Sequence, residues 1–170
     1  RAVQEKILEI MKYIDRLCRD NGIEYFIMGG TALAEGIGEK LTPLPPAPAC
    51  SCLVVKPNFH LSTKLVYENL SLDENSSHPD VDSMLDAIHS DNYRQMTASV
   101  GNILESVSVK LHPEIDMIKQ QMLDLGADCA LMSGSGPSVF GLFEHRQVAE
   151  RAYRRFRIGP YGKQTFLSYL

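Results

Sequence analysis

Residues 126–144, GADCALMSGSGPSVFGLFE, hold two short apolar runs on either side of a glycine-rich turn. The runs at residues 129–132 and 139–143 have the length and composition of buried strands. Glycines at alternate positions between them let the backbone turn sharply without steric cost. The stretch therefore predicts a β-hairpin whose turn consists of Ser133, Gly134, Ser135, Gly136 and Pro137.

The turn also has a composition that suits an anion. Its glycines allow backbone amides to point inward, and its serine hydroxyls supply further hydrogen-bond donors. A hairpin connector without a ligand has the same composition. On the turn alone, both a phosphate-lining loop and a plain connector therefore stay open as interpretations.

Outward from the hairpin, hydrophobic periodicity predicts helices packed on a mostly antiparallel sheet. A strand is expected at residues 50–56, followed by a helix that Ser62 or Thr63 caps. Two His-Pro-acid sequences place Pro79 and Pro113 at the predicted first positions of helices. These two helices are predicted to end at about His89 and Leu125. A long helix is predicted between them, from Asp91 through Val107. Residues 148–156 predict a last helix, and residues 165–167 a last strand.

The N-terminal part has a different pattern. Apolar residues at intervals of three and four predict an amphipathic helix that Asn21-Gly22 ends, and residues 25–28 predict a short strand. Residues 36–48 contain four prolines. Because proline is excluded from helix interiors and central strands, this stretch is predicted to be a connector.

The bulk composition argues against several classes of protein. The 170 residues carry a net charge of -4, which argues against nucleic acid as a partner. No apolar run approaches the roughly 20 residues that cross a bilayer, so we expect no membrane partner and a cytoplasmic location. The four cysteines and five histidines lack the spacing of metal ligands. We therefore expect no metal site, and buried or inert thiols.

Five segments, in this order and spacing, resemble the GHMP family of small-molecule kinases. They are GGTALAEGIGEKLTPLPP at residues 29–46, KPNFHLST at 56–63, HPD at 78–80, GNILE at 101–105 and the hairpin sequence at 126–144. The resemblance implies the C-terminal domain of such a kinase, with an α+β, ferredoxin-like fold of helices on a mostly antiparallel sheet. It divides the chain into an N-terminal segment, residues 1–28, and a domain at residues 29–170.

The resemblance also implies a function. The branch of the family with these segments transfers the γ-phosphate of ATP to the 2-hydroxyl of a small-molecule substrate, 4-diphosphocytidyl-2-C-methyl-D-erythritol, in non-mevalonate isoprenoid (terpenoid) biosynthesis. ATP and Mg²⁺ are the implied cofactors. The cofactor-binding residues by resemblance are Ser133, Gly134, Ser135, Gly136 and Pro137, and the substrate-binding residues are Ser62 and Thr63. Such supporting roles suit phosphoryl transfer, which depends on positioning and charge neutralisation.

The sequence departs from the family pattern where catalysis should occur. The Gly- and Ser-rich phosphate loop is absent, and the place of the family's catalytic aspartate falls at Gly22. No catalytic residue is therefore assigned, and we expect the chain to be inactive alone. The expected protein partners are a second copy of the chain, in a homodimer, or a missing N-terminal half. Residues 1–28 instead resemble the start of LicD-type nucleotidyltransferases and are predicted to be foreign to the rest. The alternatives are a non-catalytic binding or scaffold domain and a remnant of a LicD-type enzyme.

Overall fold

A computed structural model of the chain describes residues 30–36, 40–71 and 78–170. The chain divides into two compact units, Arg1–Ala47 and Pro48–Leu170. The predicted N-terminal helix and the strand at residues 25–28 lie outside the described residues. The expected division of the chain between residues 28 and 29 stays a prediction.

The described part of the first unit is a β-hairpin. Strand β1, Ala32–Glu35, pairs antiparallel with β2, Lys40–Pro43. The carbonyl of Thr31 closes its base by accepting from Leu44 N at 2.9 Å. The prediction of a connector over residues 36–48 is therefore wrong for β2. In a two-stranded ladder, each strand has one edge that pairs with no other strand. A proline whose missing N–H faces that edge removes no hydrogen bond between the strands.

The second unit contains a four-stranded antiparallel sheet. In the spatial order β4-β5-β3-β6, it consists of β3 (Ser51–Val55), β4 (Cys129–Met132), β5 (Val139–Phe143) and β6 (Thr165–Tyr169). Helices connect β3 to β4 and β5 to β6, and in each case another strand lies between the connected pair. This interleaved arrangement is ferredoxin-like. The predicted α+β fold is therefore confirmed, and the β4-β5 hairpin has the predicted bounds.

The described residues of the second unit form six α-helices. They are α1 (Thr63–Glu68), α2 (Val81–His89), α3 (Tyr93–Ser99), α4 (Glu105–Leu111), α5 (Glu114–Asp124) and α6 (Arg146–Arg157), and a 3₁₀ turn, Gly162–Gln164, precedes β6. None of these six helices has both the length and the apolar character needed to span a membrane.

Side chains of the predicted types begin the first two helices. The Ser62 side chain caps α1 by accepting from Leu65 N at 3.3 Å. Asp80 caps α2, because its carboxylate accepts from Ser83 N at 2.9 Å. Pro79 therefore stands before the cap, so the prediction placed it too far into its helix. Pro113 directly precedes Glu114 and already has helical backbone angles, φ -57° and ψ -19°, as predicted for a proline at a helix start.

The single long helix predicted to start at Asp91 is wrong, because the chain forms α3 and α4 with a break between them. Asp91 has a left-handed backbone, φ 52°, and Asn92 caps α3 in its place. Val100 then becomes extended, and Gly101 lies against Pro79, where a Cβ would come within 2.9 Å of the proline ring. The break leaves the side chains between α3 and α4 beside the hairpin.

The core lies between the sheet and the helices α5 and α6. Leu53 and Val55 of β3 have no solvent exposure, and Phe143 of β5 is also fully buried. Full burial of side chains of this size contributes roughly 1.5–3 kcal/mol each. This packing holds the ends of β4 and β5, and therefore the base of the turn between them. The core residues that α5 and α6 contribute are Ile115, Ile118, Met122, Ala149, Ala152 and Phe156.

Candidate functional site

The turn of the β4-β5 hairpin is tight and closed by its own hydrogen bonds. Ser133 N donates to Ser138 O at 2.8 Å, and Gly136 N donates to Ser133 O at 3.0 Å. Gly134 and Gly136 have left-handed backbones, with φ of 56° and 86°, which residues with a side chain rarely adopt. The bond between Gly136 and Pro137 is a cis peptide. The two glycines are therefore required by the shape of the turn.

Side chains from outside the hairpin bind two further carbonyls of the turn and one at the end of β4. Asn102 Nδ2 donates to Met132 O at 2.8 Å and to Gly134 O at 2.7 Å. The Ser108 hydroxyl, which is fully buried in α4, donates to Ser135 O at 3.3 Å. Within the described ranges, the amides of Gly134 and Ser135 donate to no protein acceptor. Among the described residues, the Gly134 and Ser135 carbonyls thus have protein donors, whereas their two N–H groups have no protein acceptor.

The predicted substrate side meets the turn directly. Thr63 Oγ1 and Ser135 Oγ lie 2.8 Å apart, in a hydrogen bond for which either hydroxyl can be the donor. Ser62, the neighbour of Thr63, serves as the cap of α1. The structure therefore brings together two groups of predicted site residues that are 72 positions apart in the sequence.

A half-buried ion pair supports the strand that leads into the turn. Glu105 accepts from Met132 N at 2.5 Å through one oxygen and binds Lys119 Nζ at 2.8 Å through the other. The Glu105 and Lys119 side chains are only 15% and 18% exposed, so salt and water screen the pair weakly. Met132 belongs to the edge strand β4. Glu105 accepts from the Met132 N–H and Asn102 donates to the Met132 C=O, which are the two groups that a further strand would otherwise bind.

Asn102, Glu105 and Ser108 are not among the predicted site residues. The GNILE segment contains Asn102 and Glu105, and its resemblance to the family pattern was the sequence signal that could have indicated these two residues. In the predicted continuous helix, however, these positions would have been ordinary helical ones. Their contacts with the hairpin arise because the helix breaks before Asn102, which is a tertiary effect.

A cleft of about 810 Å³ borders the break between α3 and α4. Its lining includes His78, Asp80, Asn102, Glu105 and Lys110, so groups of both charges line it, and no residue of the turn does. Across the described residues, no group of three or more His, Cys, Asp and Glu side chains is arranged to hold a metal ion. No metal ligand is therefore assigned.

Three cysteines have the environment of structural thiols. Burial raises the pKa of the Cys50 and Cys129 thiols to about 11, and the negative charge of Asp128 adds to both increases. Burial also raises the pKa of Cys52. Thiols with such pKa values stay protonated at neutral pH and are poor nucleophiles. The expectation of inert thiols agrees with this environment, whereas Cys18 lies outside the described residues.

A family model described as "GHMP kinases C terminal" matches residues 70–161, more than half of the chain. The matched range contains α2 to α6 and the whole β4-β5 hairpin. The chain therefore belongs to the GHMP kinase family and carries its C-terminal domain, as the sequence resemblance implied.

The chain spans about half the length of the relatives that it matches. It is 54% identical to 4-diphosphocytidyl-2-C-methyl-D-erythritol kinase of Lachnoclostridium phytofermentans over 164 residues, which are 96% of this chain and 56% of the relative. The crystal structure of a 4-(cytidine 5'-diphospho)-2C-methyl-D-erythritol kinase has 32% identity and a TM-score of 0.71, over 86% of this chain and 52% of that one. Homoserine kinase from Cytophaga hutchinsonii, at 21% identity and a TM-score of 0.67 over 87% and 49%, shares the fold.

The sequence match to the Lachnoclostridium kinase also bears on the N-terminal segment. It covers 96% of the chain, so it takes in most of residues 1–28. It gives no support to the resemblance of that segment to LicD-type nucleotidyltransferases.

Proposed function

We propose that this chain is the C-terminal part of an ATP-dependent kinase that phosphorylates the 2-hydroxyl of 4-diphosphocytidyl-2-C-methyl-D-erythritol. Relatives that carry the name of this kinase support the substrate. The structural observation that carries the proposal is the hydrogen bond between Thr63 and Ser135. Transfer between two bound molecules needs their binding groups side by side. The proposal includes a role in non-mevalonate isoprenoid biosynthesis and a cytoplasmic location.

The turn binds phosphate oxygens in this proposal. The amides of Gly134 and Ser135 and the hydroxyls of Ser133 and Thr63 are donors of the kind that phosphate oxygens accept. Donors held by a rigid hairpin need little reorganisation when charge moves during phosphoryl transfer. ATP supplies the phosphoryl group, and Mg²⁺ neutralises its charge. The described residues fit the phosphates, whereas none of them is assigned to Mg²⁺.

Catalysis in this family needs groups that this sequence does not contain. The Gly- and Ser-rich phosphate loop is absent, and Gly22 stands at the place of the catalytic aspartate. We infer that the chain alone does not turn over the substrate. An N-terminal half would complete the site.

The test is phosphorylation of 4-diphosphocytidyl-2-C-methyl-D-erythritol by the purified chain with ATP and Mg²⁺, followed by product mass against a sample without enzyme. A parallel sample adds the N-terminal half of the Lachnoclostridium kinase as a separate polypeptide. We expect product only in the second sample. Product from the chain alone would contradict the assignment of catalysis to the missing groups. No product in either sample, with both polypeptides folded and associated, would favour a non-catalytic binding domain.

A further inference from the structure

The peptide between Gly134 and Ser135 can present either a donor or an acceptor to the site. A trans peptide directs its C=O and its N–H to opposite sides. Asn102 binds Gly134 O at 2.7 Å, so the Ser135 N–H points away from Asn102. If this peptide rotated, a carbonyl oxygen would replace the N–H and would repel a phosphate.

Rotation of this peptide changes ψ of Gly134 and φ of Ser135. Gly134 itself opposes the change little, because glycine accepts a wide range of backbone angles and a Cβ built on it would meet no atom within 4 Å. The neighbouring carbonyls have their own donors, since Ser133 O accepts from Gly136 N and Ser135 O accepts from Ser108. Among the described contacts, the Gly134 carbonyl is held by Asn102.

We propose that Asn102 is a positioning residue that keeps the Gly134–Ser135 peptide turned with its N–H toward the bound phosphate. This inference rests on the proposed function of the turn. Asn102 suits the role because its amide has both an acceptor and donors. Its Oδ1 accepts from Leu104 N at 3.0 Å, which directs Nδ2 to Met132 O and Gly134 O.

Two substitutions separate the donor from the other properties of this side chain. Asn102→Asp keeps the acceptor for Leu104 N and loses the donor, whereas Asn102→Leu loses both groups without adding charge. Asn92 offers the matched control, because its side chain caps α3 by accepting from Gln95 N at 3.1 Å. Asn92→Asp and Asn92→Leu therefore make the same chemical changes at another helix start.

The first measurement is titration of the ¹⁵N-labelled chain with sodium tripolyphosphate, followed through the Ser135 amide signal. We expect the wild-type chain and both Asn92 variants to bind equally well. Both Asn102 variants should bind at least tenfold more weakly while still showing a cooperative thermal transition, which confirms that they are folded. Wild-type affinity in Asn102→Leu would overturn the proposal, even if Asn102→Asp were weaker, because the added negative charge would then explain the loss.

Crystal structures of the two Asn102 variants test the inference without a ligand. A Gly134 carbonyl that has rotated out of its wild-type direction would support the positioning role. A carbonyl that keeps its direction in both variants would overturn it. If the wild-type chain does not bind tripolyphosphate, the proposed function of the turn fails, and these structures still decide the role of Asn102.

Discussion

Replacement of Lys119 by methionine should destabilise the second unit strongly, because it leaves Glu105 without its positive partner. The two side chains are 18% and 15% exposed and lie 2.8 Å apart. Glu105 also accepts from Met132 N at 2.5 Å, so the carboxylate cannot turn to water without losing a second bond. Methionine has a similar length and helix propensity, so the change removes mainly the charge.

The expected loss follows from burial. Breaking a fully buried ion pair by removing one partner costs about 3–5 kcal/mol. Because some water reaches both groups, we expect about 2–3 kcal/mol for Lys119→Met, which remains large beside a total stability of about 5–15 kcal/mol. The control is Lys64→Met, which breaks an exposed pair with Glu68 at 3.7 Å, where the side chains are 83% and 58% exposed. This change should cost less than about 0.5 kcal/mol.

Urea unfolding followed by circular dichroism at 222 nm measures both variants against the wild-type chain. The difference between the two lysine variants is the decisive quantity, since both lose the same chemical group from a helix. If Lys119→Met and Lys64→Met changed the unfolding free energy equally, the argument from burial would be refuted. A double-mutant cycle with Glu105→Gln would then show whether Glu105 and Lys119 interact at all.

Three further outcomes are expected. Gly136→Ala should lower the free energy of unfolding in urea by about 1–3 kcal/mol, since its Cβ would lie 2.6 Å from Met132 Sδ. Gly134→Ala also places alanine at a positive φ but in open space, so it should lower that free energy by only about 1 kcal/mol. Equal costs for the two variants would contradict this difference in packing. Phe143→Ala, at a fully buried site, should lose about 3–5 kcal/mol, and a loss below about 1 kcal/mol would mean that the core packs differently. Stability should fall as the pH rises from 9.0 to about 11, because the unfolded chain releases the Cys50 and Cys129 protons near 9.0 while the folded chain keeps them to about 11. A Cys50→Ala, Cys129→Ala double variant should show a flatter profile in that range of pH, and an unchanged profile would refute this origin.

Local sequence signals were sufficient for the hairpin and for most of the helices. Gly126 ends α5 with a φ of 92°, which glycine adopts without strain, and the strands on either side of the turn have the predicted bounds. Such signals act within a few residues, so they do not depend on the rest of the fold. The same holds for the Ser62 cap of α1.

The break between α3 and α4 could not be predicted in this way. The apolar positions on its two sides continue one helical stripe, and Gly101 alone is only a weak helix breaker. What separates the helices is the contact of Gly101 with Pro79, together with the bonds of Asn102 to the hairpin. These partners lie far along the chain, and their positions depend on packing.

Local patterns in the sequence were enough for the glycine-rich hairpin, for the strands and apolar helical faces of an α+β domain, and for the resemblance that placed the chain among the GHMP kinases. The contact of Thr63 with Ser135, the bond of Asn102 to the turn and the pairing of Glu105 with Lys119 appeared only with the tertiary structure. Turns and helix ends depend on neighbouring residues, whereas the partners of a buried polar side chain are set by how distant elements pack.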